Sequence, residues 1–418
     1  DSAVSPAALS LAGLLLVILA SLTSRINVGV LAVAVAWPIA LYGAGWKVEA
    51  LMAAFPSSLF LTLLGVTLLF GAAQANGTMH LVAARAVRLC RGRVVLLPWI
   101  FFALACGLST LGPGAIAATA LVAPLALSVG ETAGIRATLG VLMVANGANA
   151  GNLSPIAAGG VLVNSLMATA GVGGHEWLVW GANFGAHLMA ACAAFLLFGG
   201  LRLSWHAVAA GAQEALSPLE RKHWITLGIV HVWIFGVVLA KMPPGPSAFA
   251  AAAVLILLGA VDDTAAVSAV PWNVLLTLAG VSVLIGVLEK TGGMGLFTTL
   301  LARISTPGTV NGAIAFTTGL ISSYSSTIGV VYPAFLPSAP GLVAKLGGGR
   351  VLQVMLSIHV GAALVDVSPL STIGALGVAA VPASQDARAV FRRLLMWGYA
   401  MSVVGALFAL FVIPVLAP

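Results

Sequence analysis

The chain has 418 residues, 61% of them hydrophobic and only 7% charged, with a mean hydropathy of +1.11. So little charge excludes a soluble globular domain, which needs far more to cover its surface. The formal net charge of +7 does not indicate nucleic acid either, because Lys and Arg sit in short clusters between apolar runs with no interleaved aromatics.

A spanning helix needs about 20 apolar residues, and on that measure residues 7–23, 28–43 and 55–75 predict crossings. The first run lacks a basic flank and is followed directly by another apolar run, so it does not read as a cleaved signal peptide. Residues 94–129 differ: "GLSTLGPG" splits them into limbs of about 13 to 15 residues, too short to span. They predict a re-entrant hairpin on the cytoplasmic side. Residues 134–170 predict a crossing that Pro155 interrupts in its middle, since proline lacks an N–H and clashes with the preceding turn. Residues 176–200 cross again.

The same order then returns. Crossings are predicted at 223–240, 247–260 and 270–288, a second re-entrant hairpin at 308–344 split by "SSYSSTIG" on the outer side, a second helix at 350–380 broken at Pro369, and a last crossing at 391–416. Residue identities repeat too. Pro56, Thr62, Gly65, Gly71, Gly77 and Met79 fall on Pro271, Thr277, Gly280, Gly286, Gly292 and Met294 at an offset of 215. Asn152, Ser154, Pro155 and Gly160 fall on Asp366, Ser368, Pro369 and Gly374 at an offset of 214. One offset kept over so long a stretch predicts a duplicated unit, residues 1–214 and 215–418.

Charge gives the orientation. "RAVRLCRGR" holds four Arg and predicts a cytoplasmic loop; five crossings from an outer N-terminus also place Arg25, Arg202, Arg221 and Lys222 inside, as are Arg388, Arg392 and Arg393. Lys47, Lys241, Arg303, Lys345 and Arg350 fall outside, a weaker exception. Five is odd, so the second unit is predicted upside down relative to the first. The expected fold is therefore an all-α polytopic membrane protein of two inverted repeats, each with five transmembrane helices and one re-entrant hairpin, the build of secondary transporters.

In hydrocarbon a non-helical break survives only where protein or a wet cavity covers it. Broken ends expose carbonyls, which suit a cation, and N–H groups, which suit an anion. The first hairpin tip supplies Ser109, Thr110, Gly112 and Gly114, and the first break Asn146, Asn149, Asn152 and Ser154. The second tip supplies Ser322, Ser323, Tyr324, Ser325, Ser326 and Thr327, and the second break Asp366, Ser368, Ser371 and Thr372. This is hard oxygen chemistry, fit for an alkali cation and not for a transition metal.

The expected cation ligands are Thr110, Asn146, Asn149, Asn152, Ser322, Ser323, Ser326 and Asp366. The expected substrate contacts are Ser109, Thr110, Gly112, Gly114, Asn149, Ser154, Ser325, Ser326, Thr327 and Ser368. Asp366 stands out, because a carboxylate at this depth is costly; it reads as a cation ligand, with a proton carrier or a hydrogen-bonded structural acid as the alternatives. His359 reads as a packed neutral imidazole, His187 and His231 show no partner pattern, and Thr62 and Thr277 read as helix-packing residues. Cys90, Cys106 and Cys192 share no close spacing and read as packing residues. No nucleophile with a base, nucleotide loop or metal cluster appears, so no enzyme is expected. The segment Arg202 to Lys222 is too short for a soluble module.

The runs "INVGVLAVAVAWPIALYG", "RAVRLCRGRVVLLPW", "LGPGAIAATALVAPLALS", "NLSPIAAGG", "SSTIGVVYPAFLP" and "DVSPLSTIGAL" resemble the MatC malonate and dicarboxylate carriers, which are similar to the wider divalent anion/sodium symporter family. The resemblance covers nearly the whole chain. It implies a homodimer in a bacterial inner membrane, a scaffold domain and a transport domain carrying both hairpins, and elevator-type, sodium-coupled import of malonate or a similar small dicarboxylate, with two or more Na+. In that wider family a Ser-Asn-Thr triplet at each tip binds sodium and carboxylate. Here the second tip reads Ser325, Ser326, Thr327, whereas the first reads Gly112, Pro113, Gly114 and would offer backbone N–H groups instead. The alternative is proton-coupled anion transport or cation/proton antiport through Asp366.

Overall fold

The computed structural model describes residues 5–23, 26–87, 93–203, 218–270, 272–323, 326–382 and 384–418. The first ten helices are α1 (Pro6–Thr23), α2 (Val28–Pro38), α3 (Val48–Met52), α4 (Ser57–Ala75), α5 (Thr78–Val87), α6 (Leu97–Leu111), α7 (Gly114–Thr132), α8 (Ala137–Asn152), α9 (Ala158–Thr169) and α10 (Glu176–Leu197). They are followed by α11 (Arg221–Val238), α12 (Pro244–Leu257), α13 (Asp263–Ser268), α14 (Trp272–Lys290), α15 (Gly293–Arg303) and α16 (Val310–Ser322). A wide helical turn over Thr327–Val331 leads into α17 (Tyr332–Phe335) and α18 (Ala339–Leu346), and then α19 (Val351–Val365), α20 (Thr372–Ala379), α21 (Ala387–Phe411) and α22 (Ile413–Leu416). The fold is all-α, and the element order of the first half recurs in the second, with the second limb of the later hairpin divided.

Matching positions of the two halves meet in the packing. Helix α2 lies on α14, and α4 lies on α12. Each crossing is built on a pair of glycines. A Cβ at Gly29 would sit 2.6 Å from Cα of Thr277 and one at Gly280 2.6 Å from Cα of Gly29; a Cβ at Gly245 would sit 2.5 Å from Cα of Thr62, and one at Gly65 would overlap the Gly245 carbonyl. Backbones this close leave no room for any side chain, the small-residue packing common between membrane helices. Two polar contacts repeat the exchange: Asn76 Nδ2 donates to Thr226 Oγ1 and Thr291 Oγ1 donates to Ser10 Oγ, both at 2.7 Å.

Both predicted breaks are present. Helix α8 stops at Asn152 and α9 starts at Ala158, with Pro155 between; α19 stops at Val365 and α20 starts at Thr372, with Pro369 between. All of α8 is buried, as is α19 from Val354 onward, so the polar side chains at the breaks are enclosed by protein. Each broken helix packs on the first limb of its own hairpin, α8 on α6 and α19 on α16.

The limb lengths depart from expectation. The first limb is expected to end at the polar tip, but α6 continues through Ser109 and Thr110, and with the tight turn before it the limb spans Val94–Leu111, 18 residues; the return limb, Gly114–Thr132, has 19, and the second limb of the later hairpin, Thr327–Leu346, has 20. All three are long and apolar enough to cross a membrane, as are Glu176–Leu197 and Ala387–Phe411, so shortness does not distinguish the hairpins. Short helices α3, α5, α13 and α15 went unpredicted. Cys106 is buried, but Cys192 is exposed and does not pack in the interior; Cys90 lies outside the described residues.

Candidate substrate and cation site

The first tip is a two-residue turn between α6 and α7. Gly112 has φ 154° and Gly114 φ 77°, conformations that glycine adopts without the steric cost a Cβ brings. The Phe70 ring of α4 lies directly against Gly112 and occupies the space a Cβ would need. The tip is fastened to the first break by three hydrogen bonds. Ser154 Oγ donates to the Thr110 carbonyl (2.5 Å), the Ala158 N–H to the Gly112 carbonyl (3.1 Å), and the Ala115 N–H to Asn152 Oδ1 (3.1 Å). Asn152 therefore caps the N-terminus of α7 from the neighbouring break. Ser154 Oγ also accepts from the Ala157 N–H at 3.2 Å, which satisfies backbone that the Pro155 interruption would leave open.

The second tip is fastened by hydroxyls. Ser326 Oγ accepts from the Gly329 N–H (3.0 Å), Ser322 and Thr327 join hydroxyl to hydroxyl (2.5 Å), and Ser323 Oγ donates to the Gly319 carbonyl (3.3 Å). In the second break the Ser371 hydroxyl lies between the carbonyls of Asp366 (2.6 Å) and Ser368 (2.8 Å). The hydroxyls of Ser371 and Thr327 both face the Asp366 carboxyl, so this acid joins tip to break. Asp366 is buried, and its Oδ1 has no hydrogen-bond partner. Tyr324 and Ser325 lie outside the described residues.

A cavity of about 220 Å³ draws these parts together. Its walls include Gly114 and Ala115 of the first tip, Asn152 of the first break, Ile328 of the second tip, and Thr67 and Gln74 of α4. The N-terminus of α7 opens onto it, a place where peptide dipoles and N–H groups favour an anion. Of the predicted site residues, Gly114 and Asn152 line the cavity itself. Thr110 and Gly112 belong to the first tip and Ser154 to the first break; Ser322, Ser323, Ser326 and Thr327 build the second tip, Asp366 lies beside Thr327, and Ser368 packs against Gly398. Ser109 is buried with its hydroxyl unpartnered.

The Asn146 side chain and the Asn149 backbone bond to α10, while Asn149 Nδ2 is buried without a hydrogen-bond partner. The His187 Nδ1–H donates to Asn146 Oδ1 at 2.9 Å, and Asn183 Nδ2 donates to the Asn149 carbonyl at 2.7 Å. No partner for His187 is legible in the sequence because Asn146 is 41 residues away on another helix. His359 is fully buried against the Tyr332 ring at 5.5 Å, with both ring nitrogens unpartnered. Thr277 Oγ1 donates to the Asn273 carbonyl of its own helix, and Thr62 backs the Gly245 crossing, so both serve packing.

A second cavity, of about 580 Å³, lies against α14. Ser282, Ile285, Gly286 and Glu289 form one wall together with Ala54; the first cavity is walled by Thr67, Phe70, Gly71 and Gln74 together with Ala269. These five pairs are all 215 apart in sequence. The opposing walls are not equivalent. The first faces the tip and the break, whereas the second faces Pro333, Pro337 and Pro340 on the return limb and Ser165 and Thr169 near the end of α9.

Neither Thr67 nor Gln74 was expected in a site. The repeat that aligned Gly71 with Gly286 marked this helix face as shared by both halves, but only the fold turns it toward the first tip. Among the described residues no group of three His, Cys, Asp or Glu converges, and the polar atoms around the tips are hydroxyl, amide, carboxylate and backbone oxygens.

Residues 4–152 match the family model for the N-terminus of dicarboxylate carrier protein MatC, a span running from α1 through Asn152 and including the first tip. The chain is similar in structure to the YdaH transporter of Alcanivorax borkumensis, with a TM-score of 0.56 and 16% sequence identity over 88% of each chain. No curated protein matches it.

Proposed function

We propose that this multi-pass membrane chain, whose residues 4–152 match the model for the N-terminus of dicarboxylate carrier protein MatC, is a MatC-type secondary active transporter importing malonate or a similar short dicarboxylate together with two or more sodium ions. The carrying observation is the convergence of Gly114, Ala115 and Asn152 with Ile328 on one cavity at the N-terminus of α7, backed by the Thr327–Asp366–Ser371 cluster. The helix terminus supplies partial positive charge for a carboxylate. The carboxylate and hydroxyl oxygens supply a hard cation site.

Cation coupling follows from electrostatics. Carrying a dianion into an inside-negative cell costs about 4.6 kcal/mol per 100 mV, twice the single-charge figure, and neither tip nor break holds an Arg or Lys. Two co-bound sodium ions cancel that charge. The unlike walls support an elevator motion between inverted repeats 1–214 and 215–418. Sliding the hairpins and broken helices along α4 and α14 would bring the second tip against Ser282 and Glu289, as the first tip now stands against Thr67 and Gln74. A homodimer in a bacterial inner membrane completes this reading.

The test is uptake of labelled malonate into proteoliposomes with sodium, potassium and pH gradients imposed separately. Uptake driven by sodium alone supports the proposal. The second reading, proton coupling through Asp366, rests on its buried, unpartnered Oδ1, and predicts uptake that follows a pH gradient and ignores sodium.

A further inference from the structure

Glu289 of α14 and Gln74 of α4 occupy matching places in the duplicated walls, and they differ by one charge. Glu289 is the single ionisable residue lining the second cavity, whose other polar groups are the hydroxyls of Ser57, Ser165, Thr169 and Ser282. Glu289 is an exposed residue and lines this cavity. It is not closed into an ion pair: among the described residues the one salt bridge joins Lys222 to Glu220, and neighbouring Lys290, whose charge acts on Glu289 without contact, holds its ammonium over the Trp46 ring, 5.4 Å from the centroid. The first cavity has the same wall with a neutral amide in this place and no ionisable lining residue.

We infer that Glu289 gives the second cavity a standing preference for cations over anions that the first cavity lacks, so that sodium is loaded more readily from the Glu289 side than from the Gln74 side. The inference rests on the transport reading above and adds to it a residue that sets the sidedness of cation use. A single carboxylate about 6 Å from an ion in water-filled space changes the local concentration of a monovalent cation about threefold and that of a monovalent anion by the same factor in the opposite direction. Ionic strength narrows the difference.

Two measurements test it on the full-length chain. In the first, Ser282→Cys or Thr67→Cys places a thiol in one cavity, in a background with Cys90 and Cys192 replaced by Ala and the buried Cys106 kept. The probes are a trimethylammonium-ethyl and a sulfonato-ethyl methanethiosulfonate. The ratio of cationic to anionic labelling at the second cavity should fall about tenfold with Glu289→Gln, and at the first cavity rise about tenfold with Gln74→Glu. In the second, the sodium concentration giving half-maximal malonate uptake, varied on one face at a time, should rise about threefold with Glu289→Gln on the Glu289 face only. Labelling ratios indifferent to Glu289, or an equal shift on both faces, overturn the inference while sodium-driven uptake by the unaltered chain leaves the transport reading intact. Uptake that ignores sodium in the unaltered chain overturns the transport reading and the sided loading with it, and the labelling ratio then decides the cavity's charge preference by itself.

Discussion

The hydroxyl of Ser154, in the first broken helix, donates to the backbone carbonyl of Thr110, at the end of the first hairpin limb, across 2.5 Å. Two segments 44 residues apart are thereby joined where both lose their helical hydrogen bonds. Ser154→Ala should destabilise the folded protein by about 1–3 kcal/mol, because the half-buried Thr110 carbonyl and the buried Ala157 N–H both lose a partner. Thermal unfolding in detergent measures this, and malonate uptake should fall with it.

Asp366→Asn keeps the shape of the second break and removes its charge. The sodium concentration for half-maximal uptake should rise at least about tenfold, equivalent to about 1.4 kcal/mol of cation binding. Sodium titration of uptake checks this; a variant that keeps the wild-type sodium curve but no longer responds to a pH gradient would favour proton coupling instead.

Gly112→Ser tests the first tip. Its Cβ would meet the Phe70 ring, so the substitution should abolish uptake by displacing the tip rather than by changing which dicarboxylate is carried. Adding Phe70→Ala should restore part of the activity. Uptake of malonate and of longer dicarboxylates by both variants distinguishes displacement from altered selectivity.

Gly29→Val and Gly280→Val should each cost about 3 kcal/mol or more, since backbone atoms of the crossing helix stand where the new side chain must go. Gly181→Ala, in a helix with open space at the same atom, should leave unfolding in detergent nearly unchanged.

Much of the architecture was legible because its signals are local or periodic. Pro155 and Pro369 interrupt helices by their own covalent chemistry, and the repeated glycines report a backbone contact that any copy of the unit must make. Asp366 drew attention because a carboxylate in an apolar run demands a reason. The missed features depend on geometry between distant segments. Nothing near Gln74 or Thr67 in sequence says that the face they share with Phe70 meets a hairpin tip. Likewise the His187–Asn146 bond joins residues on separate helices that only packing aligns. The limb lengths escape the sequence for a different reason: serine and threonine do not by themselves end a helix, and α6 runs through both Ser109, whose hydroxyl stays unpartnered, and Thr110.

The paired glycine crossings tie α2 to α14 and α4 to α12 with no slack for shear. That quartet is the stator against which any travelling part must be measured. Chemical staples within it, such as one between α2 and α14, should be silent in turnover, whereas a staple from α4 to the first hairpin should arrest it.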